Sequence, residues 1–259
     1  MRFDSLLLPA FAAAVFACGA MEGRDGAASA KSEIRASKTE GDAPDVASAP
    51  ATTDLLAGGT LDAWHKYGGG DVGEAWSVSE DGVLHFDASD KTDGRVNGGG
   101  DIVTDEDFGD YELTLEWKIA PGGNSGIIYN VVEEDGLDYP WLTGPEMQVL
   151  DNERHPDAKI YKHKAGDLYD LVSASDSLAV RPAGEWNEAR LVNRAGAVAH
   201  YLNGVKLVEY DNTGDGWREM IAGSKFKDMP RFGEATEGKI ALQDHGDEVW
   251  YRNIEVRAL

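Results

Sequence analysis

Glu146 and Gln148 stand two residues apart in the run Gly144-Pro-Glu-Met-Gln-Val-Leu-Asp-Asn-Glu153. A Gly-Pro turn starts the run, and an extended chain after it puts both side chains on one face, roughly 7 Å apart. A carboxylate beside an amide can grip a polyhydroxylated ligand. The same pair is a poor way to build a core, because buried polar groups without partners are destabilising. Met147 and Val149 point the other way and suit the layer between two sheets. The segment therefore predicts a sheet with one face for packing and one for chemistry.

The elements that must position this pair are strands. Tyr111–Ile119 alternates apolar and polar residues with period two, as a half-buried strand does. Residues 189–194, 197–202 and 205–210 read the same way, and Asn203-Gly204 between the last two is a hairpin turn. Residues 126–132, 239–243 and 249–257 add further strands, whereas 214–227 is irregular and fits a short helix or a long loop. About 206 residues of this pattern from Asp54 to Leu259 predict one all-β domain of two packed antiparallel sheets.

The first fifth of the chain has a different character. Arg2 precedes an apolar run from Leu6 to Ala17, too short to span a bilayer as a helix and suited to a secretory signal. Val15-Phe16-Ala17-Cys18 resembles a bacterial lipobox, and Cys18 is the only cysteine. The expected organisation is a lipoprotein-type signal over 1–18 with Cys18 lipidated, a disordered tether over 19–53, and the folded domain over 54–259. The tether is rich in Ala, Ser, Gly and charged residues and cannot bury enough surface to order itself. The expected location is the bacterial cell envelope, with the membrane reached through the lipid anchor alone. With 24 basic against 47 acidic residues, the net charge of −23 excludes nucleic acid as a natural partner.

Several segments together resemble the 3-keto-disaccharide hydrolase family of secreted bacterial proteins. They are Asp101-Ile-Val-Thr104, Tyr111–Lys118, Gly122-Gly-Asn-Ser-Gly-Ile-Ile-Tyr129 and Gly144-Pro-Glu-Met-Gln-Val-Leu-Asp-Asn152, followed by Gly184-Glu-Trp-Asn187, Leu202-Asn-Gly204, Ser224-Lys-Phe226, Ile240-Ala-Leu-Gln-Asp-His-Gly246 and Trp250-Tyr-Arg-Asn-Ile254. Their order over essentially all of 54–259 makes the resemblance specific. It implies a concanavalin A-like jelly-roll sandwich that binds an oxidised glucoside and cleaves 3-keto-glycosides as a hydrolase or lyase.

A C3 ketone acidifies the hydrogen on C2, so such an enzyme needs a base, donors for an enolate oxygen and an acid for the leaving oxygen. His245 is the first candidate base, since histidine titrates near neutrality; the alternative is a cap at a strand end. Asp244 points to the opposite face and is not expected to orient the imidazole. Glu146 could be the second acid or base, or form a structural salt bridge. Gln148 and Gln243 are expected to bind sugar hydroxyls, as is Asn124 unless it only shapes its turn. Tyr129 could line the cleft or pack in the core. Lys225 could face an oxyanion or simply be solvated, and Trp141 could be a sugar-stacking platform or loop packing.

One acid on this strand, with Leu150 following Gln148, argues against a paired-carboxylate glucanase. His155, His163 and His200 with Asp151 and Asp157 match no compact ligand motif. No cofactor is evident, although a divalent metal would be compatible with enolate stabilisation. The rival readings are a non-catalytic carbohydrate-binding module and a surface interaction protein on the same scaffold.

Overall fold

The computed structural model describes residues 51–176 and 179–259. The signal segment with Cys18, and residues 19–50 of the expected tether, lie outside the described residues. Strand β1 (Thr52–Asp54) already belongs to the folded part, so the expected boundary at 54 moves earlier. The cause is backbone pairing: Thr52, Thr53 and Asp54 lie antiparallel to Arg257, Val256 and Glu255, which satisfies their peptide groups.

Two antiparallel sheets form the sandwich among the described residues. The larger has eight strands. Its order is β13 (Val205–Asp211), β12 (Ala197–Leu202), β11 (Asn187–Arg194), β8 (Tyr111–Ile119), β15 (Val249–Ala258), β4 (Leu84–Phe86) and β3 (Trp76–Val78), with β1 also on β15. The smaller runs β10 (Glu146–Leu150), β9 (Asn124–Val131), β14 (Lys239–Leu242), β7 (Ile102–Thr104) and β2 (Trp64–Lys66). A separate two-stranded ribbon joins β5 (Lys91–Thr92) to β6 (Arg95–Val96). This is the expected all-β jelly-roll sandwich. The strands read from alternation all form, with ends displaced by at most two residues.

The sheets meet because each strand sorts its side chains by parity. In β8, Tyr111, Leu113, Leu115, Trp117 and Ile119 are each only 1% exposed. The residues between them face out, where Glu112 accepts from Arg190 and Arg257, and Glu116 from Arg252. Ile127 and Tyr129 of β9, Met147 and Val149 of β10, and Ile240 and Leu242 of β14 fill the facing layer. Each large apolar side chain buried there contributes about 1.5–3 kcal/mol. The predicted Asn203-Gly204 turn forms with φ of 49° and 81°, the left-handed pair that a tight hairpin requires.

Residues 214–227 resolve into a helix and a turn. Helix α1 (Asp215–Ala222) buries Trp217, whose ring stacks on Tyr210 at 5.0 Å and whose Nε1 donates to Gly233 O. A 3-10 turn, Lys225–Asp228, follows Gly223. Ser224 caps it by accepting the Phe226 N–H, and Phe226 stacks on Phe232. Lys225 is thereby fixed at the edge of the smaller sheet's outer face.

Candidate active site

A cleft of about 710 Å³ opens on the outer face of the smaller sheet, large enough for a disaccharide. Glu146 and Gln148 line it, as their shared parity predicts, with Asn124, Gln243, His245, Lys225 and Trp141. Seven residues chosen from sequence thus meet in one space. Tyr129 does not join them. It is fully buried between the sheets, where its hydroxyl contacts His200 Nε2 at 2.8 Å and Tyr210 Oη at 2.6 Å. Parity explains the correction: Asn124 and Tyr129 are five residues apart on β9 and so face opposite sides.

Glu146 occupies the floor. It is 7% exposed, and among the described residues nothing donates a hydrogen bond to its carboxyl. The side chain lies over Gly126, where a Cβ would stand 2.3 Å from Oε1. Gly126 is therefore required for room rather than for its backbone conformation. Burial pushes the Glu146 pKa up to about 8; Lys225 opposes the rise and Asp101 adds to it. The carboxyl is predominantly neutral at pH 7 and can donate a proton.

Lys225 stands with Nζ 3.9 Å above the Tyr169 ring, and its backbone N–H donates to Asp170 Oδ2. Desolvation lowers its pKa, against the pull of Glu146, Asp170 and Asp157. His245 sits at the exposed rim, beyond the end of β14. Asn124 Nδ2 approaches its Nε2 at 3.3 Å, long enough for a substrate to displace. Asp244, expected on the opposite face, also lines the cleft, and its oxygens are spent on backbone N–H groups rather than on the imidazole. Its Oδ2 accepts the Gly100 N–H and its Oδ1 the Gly246 N–H.

Three polar atoms on cleft residues have no partner among the described residues: the acceptors Asn124 Oδ1 and Gln243 Oε1, and the Tyr67 hydroxyl. Buried polar atoms left in this state are destabilising unless a ligand satisfies them, and sugar hydroxyls have the right chemistry. Gln148 Oε1 already accepts the Val149 N–H, which leaves its amide N–H groups for the cleft. At one end Trp141 packs against the small cluster of Tyr67, Val103, Ile128, Val131 and Ala241. Tyr139 stacks on Trp141 at 5.1 Å and is 48% exposed. The outermost ring at this end is therefore Tyr139.

Asp101, Tyr67 and Tyr139 were not legible as site residues. Asp101 precedes β7 and lines the cleft; burial pushes its pKa up to about 7, and the nearby Asp244 charge adds to the rise. Burial likewise raises Tyr67 to about 12, helped by Glu133, Asp101 and Asp138. The only local signal for Asp101 is a lone acid leading three fully buried residues, Ile102, Val103 and Thr104.

The histidines considered as ligands do not converge, and among the described residues no three His, Cys, Asp or Glu side chains gather around a possible ion. His155 Nδ1 accepts the Asp157 N–H, while His163 reaches Asp170. His200 is buried with its Nδ1 on Gly166 O, and burial lowers its pKa to about 4. Asp151 accepts from Glu153 in its own loop and from Gly122 in the turn between β8 and β9.

Residues 51–257 match the 3-keto-alpha-glucoside-1,2-lyase-like domain. A 3-keto-disaccharide hydrolase of Bacteroides thetaiotaomicron is 37% identical over 226 residues, covering 79% of this chain and 77% of that protein. A Parabacteroides distasonis protein provisionally assigned as a glycosyl hydrolase is 31% identical, with a TM-score of 0.72, over 80% of this chain and 94% of its own. A second structure from that organism, with the same provisional assignment, has a TM-score of 0.59 at 24% identity. It covers 81% of this chain and all of its own, and supports the fold alone.

Proposed function

The chain belongs to the 3-keto-alpha-glucoside-1,2-lyase-like family and is a glycoside hydrolase or lyase, and from that footing we propose that it cleaves 3-keto-glycosides by elimination. His245 removes the proton on C2, and the electron pair moves into the C3 carbonyl to give an enolate. When the enolate collapses, the bond from C1 to the leaving oxygen breaks and Glu146 protonates that oxygen. Water added across the resulting double bond gives net hydrolysis. Lys225 supplies positive charge for the enolate oxygen, and the open acceptors of Asn124 and Gln243 take substrate hydroxyls.

The observation that carries this reading is the state of Glu146. A carboxyl on the cleft floor, unpartnered and neutral at pH 7, suits a proton donor rather than a nucleophile. The ketone does the rest, because it makes C2 acidic enough for an imidazole. The sequence signal ending at Cys18 supports a place in the cell envelope.

Asp101 favours a second reading, hydrolysis of an unoxidised glycoside between two carboxyl groups. Against it, one Asp101 oxygen already holds the Asp244 N–H at 2.8 Å. One experiment separates the readings. Full-length protein is incubated with 3-keto-trehalose, 3-keto-sucrose and 3-keto-cellobiose beside their unoxidised parents, with and without chelator. Free sugar released only from the oxidised set is expected, whereas cleavage of the parents would transfer the assignment to the two-carboxyl mechanism. His245→Ala should cut kcat by about 10²–10⁴-fold and barely move Tm, because the ring is exposed. A collapse of Tm instead would return His245 to a structural role.

A further inference from the structure

Asp101 and Asp244 tie two loops of the cleft together. Asp101 Oδ1 accepts the Asp244 N–H, and Asp244 Oδ2 accepts the Gly100 N–H, each at 2.8 Å. The second oxygen of Asp244 accepts the Gly246 N–H. Gly99 passes so close that a Cβ there would stand 2.5 Å from Asp244 Oδ2. The residue held between Asp244 and Gly246 is His245. Lys91 Nζ on Gly246 O and Asp247 Oδ2 on the Asn124 N–H complete the lock.

We propose that Asp101 is a positioning residue for this site: one carboxylate oxygen holds the turn that carries His245, and its negative charge is set against the Glu146 carboxyl in the same cleft. The second half rests on the assignment of Glu146 as the proton donor. Glu146 faces Lys225 from the turn after α1, Tyr169 from the loop after β10, and Asp101 from the loop before β7. Asp101 itself faces Asp244 and Tyr67. Lys225 favours the ionised form of Glu146; burial and the Asp101 charge favour the neutral form. With the Asp101 charge removed, burial alone opposes Lys225, and Glu146 gives up its proton at lower pH.

Asp101→Asn keeps an oxygen for the Asp244 N–H and removes the charge, whereas Asp101→Ala removes both. Glu146 is followed in the full chain by ¹³C-carboxyl NMR, assigned with Glu146→Gln, and cleavage of a 3-keto-glucoside is followed against pH. In Asp101→Asn the Glu146 titration midpoint should fall by about half a pH unit or more, and the high-pH limb of kcat/KM should fall with it. Asp101→Ala should lose a further factor of about ten in kcat, because the His245 turn is released. An unchanged Glu146 midpoint in Asp101→Asn overturns the charge half of the proposal. Equal kcat in the Asn and Ala variants overturns the turn-holding half. If Asp101→Ala fails to fold, Asp101→Glu replaces it: a longer side chain that keeps the charge should still disturb kcat, and wild-type kcat would overturn the turn-holding half. A midpoint that moves while the activity limb stays fixed upholds the role of Asp101 and removes Glu146 from the chemistry.

Discussion

Replacing Glu146 by Gln should stabilise the fold at alkaline pH while destroying the activity. The carboxyl is 7% exposed, and burial moves its pKa from 4.5 to about 8. Between those two values the native state holds a proton that the unfolded chain has released. Stability therefore falls as pH rises through the window, and the loss is complete above pH 8. At about 1.4 kcal/mol per tenfold change in ionisation constant, the ceiling is about 5 kcal/mol. Relaxation and water entering from the open side of the cleft bring the expected effect to about 2–3 kcal/mol. The variant, with an amide in place of the acid, carries no such slope.

The assay is urea unfolding of both proteins at pH 4, 6, 7.5 and 9. The difference at pH 4 reports only how well the amide fits. From there to pH 9 the variant should gain about 2–3 kcal/mol on the wild type, or about 4–12 °C in Tm for a domain of this size. The titration of His200 is present in both proteins and cancels, whereas that of Asp101 differs between them only through its coupling to Glu146. A difference that stays flat with pH would refute the argument, since Glu146 would then not be a buried neutral acid. Its role as proton donor would fall at the same time.

Gly126→Ala puts a Cβ 2.3 Å from Glu146 Oε1 and should push the carboxyl off the floor, with a fall in kcat of about 100-fold and a stability change of about 1–3 kcal/mol. Unchanged kcat would show that the position of Glu146 is immaterial. His200→Gln should abolish an acid-side loss of stability. The unfolded histidine takes up its proton near 6.5 and the buried one only near 4, so the His200 contribution is full above pH 6.5 and declines by about 3 kcal/mol as pH falls to 4, against the opposite slope that Glu146 gives both proteins. Urea midpoints between pH 7 and 4 measure the slope, and an identical slope in the variant would locate the titration elsewhere.

Parity along a strand is the signal that carries most of the reading, and it serves best where it is applied fully. It places Glu146 and Gln148 together and sends Met147 and Val149 to the core. Applied to β9 it also removes Tyr129 from the cleft, since Asn124 and Tyr129 differ by an odd number. The strands of two or three residues, β2 to β7, are invisible in the sequence because so few positions show no period. Asp101 escapes for another reason. What makes it unusual is the Asp244 N–H and the burial imposed by loops more than a hundred residues away, and neither leaves a mark on the residues beside it. Trp141 is the ring the sequence reading picks out, and only packing in three dimensions shows that Tyr139, two positions away, is the outermost one.

The pairing of Thr52 with Arg257 has a practical consequence for engineering. The domain takes in and releases its chain at neighbouring points on the large sheet, about one strand spacing of 4.8 Å apart. The cleft lies on the other sheet. A few added residues should therefore be enough to join the two ends and reopen the chain at an exposed turn such as Asn203-Gly204. The whole sandwich could equally be spliced into a surface loop of another protein. Either construction leaves the cleft untouched.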